Sequence, residues 1–155
     1  MGVFDEHDYK AFPELSNSEL ESLGLSSPHE QIVRDFVATV VKVHDGDTVT
    51  LRVPFRDFDF PLRLRMIDAP ELSTGLPGEE ARDYLRLLVE GKEVLILVDP
   101  KNRVEKYGRL LGDVVIDGLN VGEVMIHSGF AVPFDLRREG ALPDLNKFLG
   151  VDQWF

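Results

Sequence analysis

The sequence has no cysteine. That absence excludes a disulfide framework, thiolate zinc sites and cysteine nucleophiles together, and leaves any metal chemistry to oxygen or imidazole. No stretch approaches the apolar length needed to cross a bilayer, and the opening Met1-Gly2-Val3-Phe4-Asp5-Glu6 has no basic region followed by an apolar run. The expectation is therefore a soluble, non-exported protein of the cytoplasm or an equivalent intracellular location. Positive charge is scarce as well: 17 Lys and Arg face 28 Asp and Glu, a formal net charge of -11. On average such a balance repels polyanions and weakens the counterion-release contribution to nucleic-acid binding.

What is present suffices for one globular domain, since 155 residues with 43% hydrophobic content can bury a core but leave little room for a second. Residues 1–35 read as an acidic arm with short helices. Ser16-Asn17-Ser18-Glu19 and Ser27-Pro28-His29-Glu30 both fit a capping box, the second with proline at the first helical position, and Gly24 ends the first helix. Phe4, Tyr9, Phe12, Leu15, Leu20 and Leu23 are the arm's isolated apolar anchors. They suit packing back on the domain or docking a protein partner through residues 1–35.

From Phe36 the pattern turns to period two. Residues 37–43 and 48–53 flank Asp45-Gly46, a hairpin signal. Residues 60–67 alternate Leu62, Leu64 and Met66 against Arg63, Arg65 and Ile67, which predicts a third strand that buries one face and exposes two arginines, ended by Asp68-Ala69-Pro70-Glu71. Gly75 to Gly78 read as a loop, residues 79–89 as a helix closed by Gly91, and residues 93–99 and 110–116 as two strands joined by the basic turn 101–109. A further helix near 121–128 stops at Gly129, and residues 141–149 predict a third, with Trp154 and Phe155 anchoring the terminus. Five short strands in this order suit a small closed barrel better than a parallel sheet.

Two carboxylate clusters stand at element ends, Asp45-x-Asp47 in a tight turn and Asp68-x-x-Glu71 after a strand. Hard cations want such oxygens, although carboxylates at turns also serve turn geometry and caps. Arg63 and Arg109 carry guanidinium forks suited to phosphate oxygens, with surface ion pairing as the plainer alternative. The histidines His7, His29, His44 and His127 are poor ligands for a hard cation.

Taken in order, Val43-His44-Asp45-Gly46-Asp47-Thr48-Val49, Leu62-Arg63-Leu64-Arg65-Met66-Ile67-Asp68-Ala69-Pro70-Glu71 and Glu105-Lys106-Tyr107-Gly108-Arg109 resemble the staphylococcal nuclease (thermonuclease) family, over residues 37–132. The resemblance implies a mainly β, α+β domain over residues 36–155: a five-stranded OB-fold barrel with two or three helices. It implies a calcium-dependent nuclease that hydrolyses DNA or RNA, or both, to 3′-phosphate and 5′-hydroxyl ends. By motif position Asp47, Asp68 and the backbone carbonyl of Ala69 resemble the Ca2+ ligands, with Asp45 supporting the metal-bound waters and Thr48 hydrogen-bonding nearby. Glu71 resembles the general base, Arg63 and Arg109 the pair on the scissile phosphate, and Lys106 and Tyr107 contacts to a terminal phosphate.

The sequence departs from the family in three places. The loop between Glu71 and Ala81 is shorter and lacks lysines, Ala69 stands where the family often has threonine, and the later base-stacking tyrosine does not align, Phe134 reading as core or lid, with substitution for that tyrosine as the alternative. The acidic balance leads to weak, salt-sensitive substrate binding, with Lys42, Arg63, Arg65, Lys101, Arg103, Lys106 and Arg109 expected to gather at the cleft. A monomer is the favoured state. The alternative reading is a catalytically weak or inactive module that binds nucleic acid, or serves an assembly through its arm; retention of Asp47, Asp68, Arg63, Glu71 and Arg109 argues against the non-cutting module, whereas an assembly role and an active site are not exclusive.

Overall fold

The computed structural model describes residues 13–23, 27 and 29–134. Its elements are α1 (Asn17–Leu23), β1 (Phe36–Asp45), β2 (Thr48–Arg52), β3 (Phe60–Leu64), β4 (Ile67–Asp68), a short 3-10 turn (Leu72–Thr74), α2 (Leu76–Val89), β5 (Glu93–Leu97), β6 (Leu110–Ile116), β7 (Leu119–Asn120), α3 (Val121–His127) and β8 (Val132–Pro133).

β1 is ten residues long and serves two neighbours in turn: residues 36–39 pair antiparallel with β5, residues 39–45 with β2. Register shifts between Val40 and Lys42 and between Val43 and Asp45 bend it, as bulges do. β2 pairs antiparallel with β3 and β5 with β6, and β3 closes onto β6 in parallel. The order β3-β2-β1-β5-β6 is thus a closed five-stranded barrel, the expected OB-fold, with β7 added beside β6 and β4 paired separately with β8. Val40, Val43, Val49, Leu51, Leu62, Leu64, Ile96, Leu110 and Val114 fill the barrel core, joined by Ala81, Leu85 and Val89 from α2 and by Val121 and Met125 from α3. Each large apolar side chain so buried contributes about 1.5–3 kcal/mol. Among the described residues no helix is long and apolar enough to cross a membrane.

Four expectations need correction. The third strand does not run through 67: β3 ends at Leu64, and Arg65-Met66 form a turn in which Met66 takes φ 68°. The kink reverses the expected facing, leaving Met66 56% exposed and Ile67 2% exposed. α2 begins at Leu76 with Pro77 in its first turn, where a missing N–H costs nothing. β5 stops at Leu97 because the next amide, Val98 N, donates to Asp35 Oδ1 at 2.7 Å.

The fourth correction lies in the arm. The capping box of α1 forms as expected, Ser16 N donating to Glu19 Oε1 at 2.9 Å and Glu19 N to Ser16 Oγ at 3.2 Å. The second capping box starts no helix: Ser27 and residues 29–35 are irregular. Their polar groups are engaged across the chain instead, Ile32 N donating to Glu14 Oε2 at 2.9 Å and Gln31 Nε2 to the Pro13 carbonyl at 2.9 Å. Gly24 and the expected helix at 141–149, with Trp154 and Phe155, lie outside the described residues.

Candidate active site

The β1–β2 hairpin turns on Gly46-Asp47, and Asp45 shapes the turn by accepting Asp47 N at Oδ1, 3.1 Å away. Only glycine fits at 46, since a Cβ there would lie 2.6 Å from Ala69 Cβ and 2.7 Å from Ala81 Cβ. The hairpin tip is therefore pressed between the segment after β4 and helix α2. This close approach buries Asp47, whose Oδ2 accepts Ala69 N at 3.0 Å while Oδ1 accepts the Thr48 hydroxyl at 3.1 Å.

Arg63 is buried beside it, donating from Nη1 to the Leu64 carbonyl at 2.6 Å. Its Nη2 lies 3.3 Å from Asp47 Oδ2 and 3.3 Å from Asp68 Oδ1. On a straight strand, residues 63 and 68 would be about 16 Å apart and on opposite faces. The kink at Met66 is what returns Asp68 to the arginine.

Burial pushes the Asp47 carboxyl up to about 7, with Asp45 adding to the rise and Arg63 pulling against it. The Arg63 guanidinium thus does not offset the burial of Asp47. A buried carboxylate oxygen of this kind suits a hard divalent cation. Among the described residues no three His, Cys, Asp or Glu side chains converge as a metal cage. A cation here would rest on Asp47 and Asp68 together with backbone carbonyl and water oxygens.

Glu71 stands exposed at the mouth of the same cleft, between β4 and the 3-10 turn. Gly78 holds its backbone close to α2: a Cβ at 78 would fall 2.6 Å from the Glu71 carbonyl carbon and 2.9 Å from Leu72 Cα. Across the cleft the 103–109 loop presents Lys106 and Tyr107, both exposed, with Lys106 Nζ 5.0 Å from the tyrosine ring centre. Arg109 reaches from this loop to the hairpin, Nη1 donating to Thr48 Oγ1 at 3.1 Å. Asp45, Asp47, Arg63, Asp68, Ala69, Glu71, Lys106, Tyr107 and Arg109 all line one cleft of about 830 Å³. An acidic pair, two guanidiniums and an exposed carboxylate around one space can hold a cation and a phosphodiester together.

In comparison with known proteins, residues 61–149, more than half of the chain, match the family model described as "Staphylococcal nuclease homologue". The chain belongs to that family. Staphylococcal-like nuclease CAN1 of Arabidopsis thaliana is 43% identical over 84 residues, 52% of this chain and 24% of that protein. Endonuclease YncB of Bacillus subtilis is 32% identical over 111 residues, 68% of this chain and 52% of that protein. An uncharacterized protein of Bacillus anthracis is 33% identical over 98 residues, 60% of this chain and 45% of that protein. The chain thus spans about half or less of the length of these curated relatives.

As a staphylococcal nuclease homologue the chain uses its basic residues unevenly. Arg63, Arg65, Lys106 and Arg109 line the cleft, but Lys42 and Lys101 do not. Arg103, expected there, is buried against the arm instead, where carbonyls and Glu14 satisfy its guanidinium. Phe134 does line the cleft, tied by its amide to the Met66 carbonyl at 2.9 Å.

One residue that sequence reasoning passed over is Glu105. It accepts Arg109 Nε at 3.0 Å and Nη2 at 3.3 Å, along with the amides of Tyr107 at 3.1 Å and Arg109 at 3.0 Å. Burial acts against the charge on Arg109, but Glu105 above all, with Asp47 and Asp45, outweighs it and raises the guanidinium's pKa. The clue in the sequence was an acid four residues before an arginine in a turn closed by glycine.

Proposed function

We propose that the chain is a calcium-dependent phosphodiesterase that cuts DNA, RNA or both, leaving 3′-phosphate and 5′-hydroxyl ends. The observation that carries this reading is the meeting of Asp47 and Asp68 on the Arg63 guanidinium inside a cleft that Arg109 and Glu71 also line. Membership of a nuclease family supports the reaction class.

In this reading Asp47 and Asp68 would hold the cation, with the Ala69 carbonyl, and Asp45 would support its waters. Calcium, when bound, supplies positive charge to the phosphate oxygens. Arg63 and Arg109 bind the scissile phosphate and stabilise charge as it grows on the equatorial oxygens. Glu71, exposed and free of strong pairing to a cation among the described residues, takes a proton from water as the water oxygen bonds to phosphorus and the bond to the 5′ oxygen breaks. The departing oxygen accepts a hydrogen bond from Arg109 and draws its proton from solvent, since guanidinium does not deprotonate. Lys106 and Tyr107 receive a flanking terminal phosphate.

The test is cleavage of single-stranded DNA and RNA at low salt with calcium, with magnesium and with chelator, beside an Arg63→Ala, Glu71→Ala double variant. Calcium-dependent cutting that the variant loses is the expected result. A folded wild-type protein that cuts nothing under these conditions would move the reading to a module that binds nucleic acid without cutting, or one that serves an assembly through residues 1–35.

A further inference from the structure

The described part of the N-terminal segment meets the domain at a buried carboxylate. Glu14 is 1% exposed and lies between two buried guanidiniums, Oε1 pairing with Arg56 and Oε2 accepting Arg103 Nη2 at 2.9 Å. Arg56 also donates to the Glu30 carbonyl at 2.8 Å and sits over the rings of Phe58 and Phe60, 5.3 and 4.7 Å from their centres. Arg103 is 2% exposed, and each of its side-chain nitrogens is spent on the segment: Nε on the Ile32 carbonyl at 2.6 Å, Nη1 on the Leu15 carbonyl at 2.8 Å and Asn17 Oδ1 at 3.2 Å, Nη2 on Glu14. Asn17 adds a second tie, Nδ2 donating to the Pro100 carbonyl at 3.0 Å. Two buried arginines side by side require a counter-charge, and Glu14 is the carboxylate that supplies it to both.

Arg103 is also the root of the loop that carries Lys106, Tyr107 and Arg109. Its carbonyl accepts Leu111 N at 2.8 Å, and Val104 bridges to Leu110. Two residues further on, Glu105 grips Arg109. Beyond the root, the described residues of the arm stand off from the loop: Glu14, Ser16 and Glu19 face Val104, Glu105, Lys106, Tyr107 and Gly108 across an open groove of about 450 Å³. The loop is thus tied at its base through Arg103 and Val104, and at its far end Arg109 reaches Thr48.

We propose that Glu14 is a positioning residue for this loop: by fixing Arg103 it determines where Glu105 presents Arg109 to the cleft. The functional part of the proposal rests on the phosphodiesterase reading above; the structural part does not.

The test uses the full chain with Glu14→Gln, which keeps the shape and removes the shared charge. Amide hydrogen exchange without substrate is expected to quicken at Tyr107, Gly108 and Arg109 while β1 and β2 stay as protected as in the wild type. In calcium-dependent cleavage of single-stranded DNA, kcat/KM is expected to fall by about tenfold to a hundredfold, the usual consequence of a misplaced catalytic group. In an Arg109→Ala background the same change is expected to cost no more than about twofold, because its effect runs through Arg109.

Unchanged exchange at residues 107–109 in a folded Glu14→Gln protein, or an equal fractional loss in both backgrounds, would overturn the proposal. Should Glu14→Gln not fold, Asn17→Ala keeps the buried charges and removes two of the ties. It is expected to show the same exchange pattern at smaller amplitude, and no quickening there would equally overturn the proposal. A wild-type protein that cuts nothing would count against the phosphodiesterase reading alone, since the exchange experiment needs no substrate.

Discussion

Glu105 holds Arg109 by two side-chain bonds, from Nε at 3.0 Å and from Nη2 at 3.3 Å, leaving Nη1 to Thr48. An arginine committed on one edge and aimed by the other is pre-organised for a phosphate. Glu105→Gln keeps an acceptor but loses the charged fork. The expected loss in kcat/KM is about tenfold to a hundredfold, smaller than the hundredfold to thousandfold expected for Arg109→Ala. Steady-state kinetics on the two variants checks the order, and an equal loss in both would mean that Glu105 does more than aim its neighbour.

Arg63 Nη2 lies 3.3 Å from both Asp47 Oδ2 and Asp68 Oδ1, the two carboxylates proposed above to hold the cation. Removing it should therefore take the guanidinium away from both carboxylates. Arg63→Ala is expected to bind calcium at least as tightly as the wild type while cleavage falls by about a hundredfold to a thousandfold. Calorimetric titration beside the activity assay separates these effects; weaker calcium binding in the variant would contradict the competition.

The Asp47 carboxyl, pushed up to about 7 by burial, makes stability depend on pH and, under the proposed reading, on calcium as well. Between the ordinary carboxylate value and about 7, the folded protein keeps a proton that the unfolded chain has released. Without metal, this group's contribution to stability is accordingly lost as pH rises through that window. Calcium requires the ionised form, so the rise in Tm on adding saturating calcium is expected to be larger at pH about 8 than at pH about 5.5. Asp47→Asn should abolish the difference, and a wild-type calcium shift equal at both pH values would refute this account.

Gly46 and Gly78 are points where backbone presses on neighbouring structure. A methyl at 46 meets two alanine side chains, whereas at 78 it meets the backbone of Glu71 and Leu72, which cannot swing aside. Both alanine substitutions should destabilise by about 1–3 kcal/mol. Gly78→Ala is expected also to lower kcat by displacing Glu71. Denaturant unfolding and kinetics at a temperature where both variants are folded decide the matter, and a Gly78→Ala enzyme with unaltered kcat would show that Glu71 tolerates the shift.

Much of the barrel was legible because its signals are local. Alternation marked β1, β2 and β6, a glycine turn marked the hairpin, and helical spacing followed by Gly91 marked α2. The cleft residues were legible from the order of three motifs, and they do line one space. Less legible was the kink at Met66: alternation continued through it, and nothing local marked a methionine at φ 68°. The second capping box misled for a related reason, since hydrogen bonds to Glu14 and Pro13 outcompeted a short helix.

The sequence by itself determined most of the strand and helix order, the lack of cysteine and the set of charged residues available for a site, because these follow from composition and short-range periodicity. Tertiary structure alone decided which charges meet. Arg103 was one basic residue among several in a turn until folding buried it against Glu14, 89 positions away in sequence, and Arg63 became the bridge between Asp47 and Asp68 only when the chain kinked. Charge pairing depends on burial and distance, and neither is set until the core has closed around it.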